Sequence, residues 1–134
     1  MIYDKVLTCG TFDLLHIGHI LLLDRARAYG DELIVGLSTD KFSKEKKGVE
    51  PIYPYLHRLK ILSSLRSVNR VYPEINMEWK RQFIINNNVS RFIIGDDWLG
   101  KFDDLPCEVI YLPRTKGIST TQIKERIIDG PKEG

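Results

Sequence analysis

At 134 residues, with 43% hydrophobic and 28% charged side chains, the chain has the size and make-up of one globular domain spanning 1–134. Twenty basic against eighteen acidic residues leave a formal charge of +2, far from the strongly basic face that nucleic acid requires. Cys9 and Cys107 are too few and too far apart for a disulfide framework. No apolar run could span a bilayer, and Met1-Ile2-Tyr3-Asp4-Lys5 lacks the pattern of a signal peptide. The expectation is a cytoplasmic protein with neither nucleic-acid nor membrane partners.

Short β-branched runs alternate with amphipathic stretches along the chain. Lys5–Cys9 reads as a first strand feeding a helix from about His16 to Tyr29, which Gly30 ends in the left-handed C′ position. Leu33–Leu37, nearly all apolar, is a strand covered on both faces. Residues 38–54 carry Lys41, Lys44, Lys46 and Lys47, then Gly48, Pro51 and Pro54, and read as a basic loop, either a solvated connector or a cover for phosphate. Leu56, Leu59, Ile61, Leu62 and Leu65 form the apolar stripe of a second helix. Val68–Tyr72 is a third strand stopped by Pro73, Met77 to about Asn87 a third helix, and Asn86-Asn87-Asn88 its polar stop. Arg91–Gly95 and Val109–Leu112 are two further strands. The last helix starts near Thr120 with Ile123, Ile127 and Ile128 along one side.

Strands separated by helices of this length predict an α/β fold: a single Rossmann-like, doubly wound domain with a five-stranded parallel sheet. Ligands in such folds bind beyond the carboxyl ends of the strands, at the switch point. Gly10–His19, Gly95–Trp98, Pro113–Thr121 and the lysine loop all follow strand ends, so the polar chemistry converges on one edge.

Within Gly10–His19, His16 and His19 stand three residues apart at a strand-to-helix junction, on one face of the helix. The unpaired N–H groups and positive dipole end of that helix suit phosphate, and Gly18 keeps the approach clear. The alternative is a pair of capping or core histidines. A metal site lacks ligands beyond Asp13, and neither a P-loop nor a G-x-G-x-x-G segment is present. The second signal is Arg114-Thr115-Lys116-Gly117-Ile118-Ser119-Thr120-Thr121. Ser119 with Gln122 is a capping-box pattern, and an arginine with three hydroxyls at a helix start also binds anionic oxygen; the two readings coexist. Asp96 and Asp97 suit ribose or base contacts or loop ordering, while Trp79 and Trp98 read as core aromatics.

Taken together, GTFDLLHIGH at 10–19, STD at 38–40, KEKK at 44–47, HRLKIL at 57–62, GDDW at 95–98 and YLPRTKGISTT at 111–121 resemble the small cytidylyltransferases, most closely the bacterial glycerol-3-phosphate cytidylyltransferases. The resemblance covers nearly the whole chain. It implies that CTP and glycerol 3-phosphate give CDP-glycerol and pyrophosphate, with Mg²⁺ brought by CTP, in a homodimer that serves teichoic acid or capsule synthesis. It gives catalytic roles to His16, His19, Lys46, Arg114, Ser119 and Thr120. Thr11, Phe12, Gly18, Thr115, Gly117, Ile118 and Thr121 would line the nucleotide site, and Lys44 and Lys80 would join Lys46 at CTP phosphates or the second substrate. Asp13, Arg58, Arg66 and Asp96 match further polar positions. Ile17 replaces a family tryptophan and Asn69 a frequent aspartate. A sibling enzyme with another alcohol phosphate or with ATP, and a catalytically silent nucleotide-binding module, are the other readings. On this reading His19→Ala lowers kcat by about two to three powers of ten with little loss of fold.

Overall fold

The computed structural model describes residues 3–130. Strands β1 (Lys5–Gly10), β2 (Glu32–Ser38), β3 (Arg70–Glu74), β4 (Arg91–Gly95) and β5 (Glu108–Leu112) pair in parallel in the order β3-β2-β1-β4-β5. The chain winds outward from β1 through β2 to β3, then crosses back to place β4 on the other side of β1. The β1–β4 boundary is therefore the switch point, and the expected doubly wound sheet is what forms.

Alternation along the strands sorts side chains between two layers. Val6, Val35, Leu37 and Ile93 face helices α1 (Ile17–Arg27) and α3 (Tyr55–Ser63), where Leu23, Ala26 and Leu62 close one core. Leu7, Cys9, Ile34, Phe92 and Ile94 face the other way, against Ile84 of helix α4 (Trp79–Asn87) and Phe102 and Leu105 beyond β4. Every residue of β2 is buried: the apolar run Leu33–Leu37 as expected of a strand covered on both faces, and with it the polar ends Glu32 and Ser38. Among the described residues no helix is long and apolar enough to cross a membrane.

Five expectations change. Gly30 does not end α1 in a left-handed conformation, since its φ is not positive; a glycine is needed there because a Cβ would lie 2.6 Å from Val6 and 2.8 Å from the Asp4 carbonyl. The basic loop contains a helix, α2 (Asp40–Lys47), started by Thr39, whose side chain accepts from the Phe42 N–H, and ended by Gly48 at φ 80°. Pro73 does not stop β3; it lies within the strand, which tolerates a missing N–H because β3 is an edge. On α3 the stripe is incomplete, since Leu56 is 72% exposed while Arg58 is 1% exposed. The guanidinium can be buried because it donates to the Tyr53, Thr11 and Ser38 carbonyls and pairs with Asp40 at 2.6 Å. Finally, helix α5 (Thr120–Asp129) keeps Ile123 half-buried but leaves Ile127 and Ile128 exposed.

Candidate active site

A cleft of 340 Å³ opens at the switch point, floored by the ends of β1, β4 and β5. That volume lies in the usual range for a small-molecule site. One wall is the start of α1 and the other the start of α5, so two helix N-termini face one cavity.

The α1 wall is built from its own histidines. His16 is the N-cap, its Nδ1 accepting from the Gly18 N–H at 3.0 Å, and His19 Nδ1 accepts from the His16 N–H at 3.1 Å. This is a capping box in which imidazoles replace the usual hydroxyl and carboxamide. Both Nδ1 atoms act as acceptors, so each neutral ring carries its proton on Nε2. The rings stack at 3.9 Å, and the Phe12 ring backs His19. Burial, with smaller effects from His16 and Lys47, lowers the His19 pKa to about 4; burial also lowers that of His16. Protonation would in addition require a hydrogen on Nδ1 and would break both caps. The site thus holds two neutral Nε2–H donors. Gly18 is needed for a reason closer than the phosphate, since a Cβ there would lie 2.8 Å from the His16 ring.

The turn between β1 and α1 is strained. Phe12 and Leu14 take φ of 51° and 49°, a region that non-glycine residues enter at a cost of about 1–3 kcal/mol each. Asp13 between them holds the turn: its carboxylate accepts from the Ile52, Tyr53 and Leu14 N–H groups at 2.6, 2.9 and 3.1 Å, and its carbonyl accepts from Thr120 Oγ1 at 2.9 Å. The capping and anion-binding readings of the α5 wall are compatible. Ser119 Oγ accepts from the Gln122 N–H and keeps its own proton free to donate. Arg114, on the same wall, lies 3.5 Å from Asp97.

A smaller cavity of 90 Å³ adjoins the cleft, sharing Cys9, Gly10, Thr11, Lys47, Ile94 and Trp98 with it. Its far end holds Lys46, Lys80 and Glu74, with Lys80 3% and Glu74 1% exposed.

Most of the sequence-predicted residues meet here. Thr11, Phe12, His16, Gly18, His19, Arg114, Thr115, Ile118, Ser119, Thr120 and Thr121 line the cleft, and Lys46 and Lys80 the annex. Others do not. Arg58 spends its donors on backbone carbonyls and Asp40, Asp13 its carboxylate on backbone N–H groups, and both support the site from behind. Lys44 is exposed on α2, Arg66 is exposed beyond the end of α3, and Gly117 forms a turn at φ 81°; none lines either cavity. Asp96 points the motif in the right direction but Asp97 is the member at the cleft, with Trp98 beside it as a wall rather than a core aromatic. Asn69 Oδ1 accepts from the Leu33 N–H, a structural use remote from the cleft. Lys47, absent from the expected set, lines both cavities and forms no ion pair among the described residues. Burial and the nearby Lys124 lower its pKa. The signal for it was helical: with Thr39 as cap, Lys47 falls in the last turn of α2, at the cleft.

A doubly wound domain with two anion-ready helix starts across its switch point, one of them carrying H-x-G-H, defines a nucleotidyl-transfer class. The chain belongs to the cytidylyltransferase-like family, whose model matches residues 7–126. It is 56% identical over 125 residues to the glycerol-3-phosphate cytidylyltransferase of Bacillus subtilis (strain 168), covering 92% of this chain and 96% of that protein. It is 50% identical over 127 residues to the enzyme of the same name from Staphylococcus aureus (strain NCTC 8325 / PS 47), covering 92% and 94%. Among solved structures, the lipopolysaccharide core biosynthesis protein of Thermoplasma volcanium GSS1 superposes with a TM-score of 0.69 over 85% of this chain and 99% of that one; at 24% identity it supports the fold alone.

Proposed function

We propose that the protein is a glycerol-3-phosphate cytidylyltransferase, joining CTP and glycerol 3-phosphate into CDP-glycerol and pyrophosphate. The observation that carries this reading is the pair of adjoining cavities, a cleft between two helix N-termini and a lysine-lined annex, meeting at Gly10 and Thr11. The triphosphate lies between the α1 and α5 starts, and the acceptor phosphate reaches it from Lys46 and Lys80. An acceptor phosphate oxygen attacks the α-phosphorus in line, the bond to the β-phosphate oxygen breaks, and pyrophosphate leaves.

The attacking phosphate is already a nucleophile, so positioning and charge stabilisation supply the catalysis. Alignment of two bound reactants removes about 7–11 kcal/mol of barrier. The Nε2–H groups of His16 and His19, as neutral donors, with the Arg114 guanidinium and the Ser119 hydroxyl, meet the charge that develops on the leaving phosphates at roughly 3–4 kcal/mol for each well-aimed donor. Among the described residues no group of three or more His, Cys, Asp or Glu side chains could hold a metal. A magnesium ion belongs in this scheme to the substrate, carried on the triphosphate oxygens. CTP is a cytoplasmic metabolite, and the cytoplasm is the proposed site of action. The working unit is a homodimer, for which the exposed Leu56, Ile127 and Ile128 offer apolar surface, and the product feeds teichoic acid or capsule synthesis.

The test uses purified protein with Mg²⁺, each of the four NTPs and a panel of alcohol phosphates, reading pyrophosphate release. CTP with glycerol 3-phosphate is expected to turn over alone or far faster than any other pair. Success of a different pair instead replaces this reading with a sibling enzyme, and CTP binding without turnover of any acceptor replaces it with a silent module. Light scattering of the purified protein checks the dimer.

A further inference from the structure

The annex contains a group that its proposed ligand should dislike. Glu74 ends β3 with its carboxylate fully buried, in the wall of a cavity assigned above to an anion. An isolated buried carboxylate would repel a phosphate and would itself tend to neutralise. Glu74 is not isolated. Its Oε1 accepts from Ser38 Oγ at 2.8 Å, and its Oε2 lies 2.8 Å from Lys80 Nζ. Lys46 Nζ donates to the same Ser38 Oγ at 2.9 Å and lies 4.0 Å from Oε1. Each lysine also rests over an aromatic ring, Lys46 over Phe42 at 4.7 Å and Lys80 over Phe102 at 5.1 Å.

A buried ammonium without a partner loses its proton or leaves the site. Burial lowers the Lys46 pKa, and Glu74 is the leading influence acting against that shift. One carboxylate between two lysines leaves the cluster at +1. Beyond Ser38 and Glu74, Lys46 Nζ keeps an N–H for a ligand, while the other N–H groups of Lys80 make only long contacts with Met77, 3.5 Å to its carbonyl and 3.9 Å to its Sδ, which a phosphate oxygen would replace.

We propose that Glu74 is a positioning residue for the acceptor: it holds Lys46 and Lys80 as a charged two-point clamp for the phosphate monoester of the alcohol phosphate, without touching that substrate itself. This rests on the assignment of the annex to the acceptor made above. It also gives a reason for specificity. A dianionic monoester overcomes the fixed carboxylate through two ammonium groups, whereas a zwitterionic head group would place its cation beside lysines.

Steady-state kinetics of Glu74→Gln, Lys80→Met and the double variant test the proposal, with glycerol 3-phosphate and CTP varied in turn. Glu74→Gln preserves volume and a hydrogen-bond acceptor for Ser38 but removes the charge. The expected result is a KM for glycerol 3-phosphate raised about tenfold, one decade of affinity being about 1.4 kcal/mol, with the KM for CTP within about twofold. Because Glu74 acts through the lysines, the double variant should be no worse than the poorer single one. Additive losses, an equal rise in both KM values, or a lower acceptor KM in Glu74→Gln each overturn the proposal. If Glu74→Gln does not fold, Glu74→Met, which also removes the charge at similar volume, takes its place, and a wild-type acceptor KM in either variant overturns it as well. Failure of the underlying assignment looks different: Lys46→Ala and Lys80→Met would then leave the acceptor KM unchanged whatever Glu74 does.

Discussion

The two walls of the cleft are built to different standards. The α1 start is held by reciprocal caps between His16 and His19, by a stacked ring pair and by Phe12 packed behind them, and its helix buries Leu23 and Ala26 in the core. The α5 start hangs from one half-buried point, the Thr120–Asp13 bond, with Lys124 4.0 Å from the Asp13 carboxylate and Arg25 3.4 Å from the Pro113 carbonyl as looser ties. No residue of α5 is fully buried. Donors that must not reorganise during the reaction belong on the first kind of wall, and an element that admits and then encloses a nucleotide belongs on the second. Asp13 joins them, because the same residue fixes the strained turn, the 52–53 backbone and the α5 hydroxyl.

The largest effect should come from breaking the rigid wall. His19→Ala removes a donor and a cap together, so kcat is expected to fall by about two to three powers of ten and stability by about 1 kcal/mol. That second loss is the part of the capping reading that holds alongside the catalytic one, since His19 serves both. His19→Gln separates the roles. Glutamine at the third helical position restores the cap, so thermal unfolding should return close to wild type while turnover stays low. Recovery of both would remove His19 from the chemistry.

Acidification attacks the same wall by another route. The folded-state pKa of His19 is lowered from 6.5 to about 4, so an unfolded chain binds more protons than the folded one between those values. The contribution to stability is complete above about pH 6.5 and is lost as pH falls through about 4. Melting temperatures of His19→Gln across that window should decline less steeply than those of the parent. Equal slopes would mean that His19 is not a buried neutral group.

Next in size is the joint. Asp13→Ala strands the Ile52 and Tyr53 N–H groups and releases the strained turn, at about 1–3 kcal/mol. Thr120→Val breaks only the tie to α5, at about 1 kcal/mol. Hydrogen exchange should rise across α5 in both variants, and across 52–53 in Asp13→Ala alone. A change on α1 equal to that on α5 would contradict the unequal walls.

The sheet and the cleft were legible because their signals are local: apolar runs of strand length, and H-x-G-H followed later by a hydroxyl cluster at a helix start. What escaped depended on long-range partners. Arg58 reads as a polar contact of the site until the Thr11, Ser38 and Tyr53 carbonyls converge on it from other elements. Asp13 reads as a ligand contact until the 52–53 backbone reaches it from 39 residues away. Glu74 follows a proline that reads as a strand terminator, so neither its burial nor its lysines could be inferred. Helix α2 was missed for a different reason, since four lysines in seven residues outweighed a Thr39 cap and a Gly48 stop that are both present.

The smallest effect distinguishes two lysines that composition cannot tell apart. Lys44 and Lys47 lie one turn apart on α2, yet only Lys47 lines the cleft, and among the described residues neither is ion-paired. Lys47 is open to solvent on one side, so its attraction for a triphosphate is screened and is worth about 1 kcal/mol, or roughly fivefold in affinity. Lys47→Ala should therefore raise the KM for CTP by about fivefold at low salt, and by less as ionic strength shortens the range of the interaction. Lys44→Ala carries the same loss of net charge without the position, and its KM for CTP should stay within about twofold. If both variants shift KM alike, α2 contributes only a general positive field. If Lys47 alone does, and salt erases the difference, the charge works at close range from the open side of the cleft, between the rigid α1 start and the loosely held α5 start.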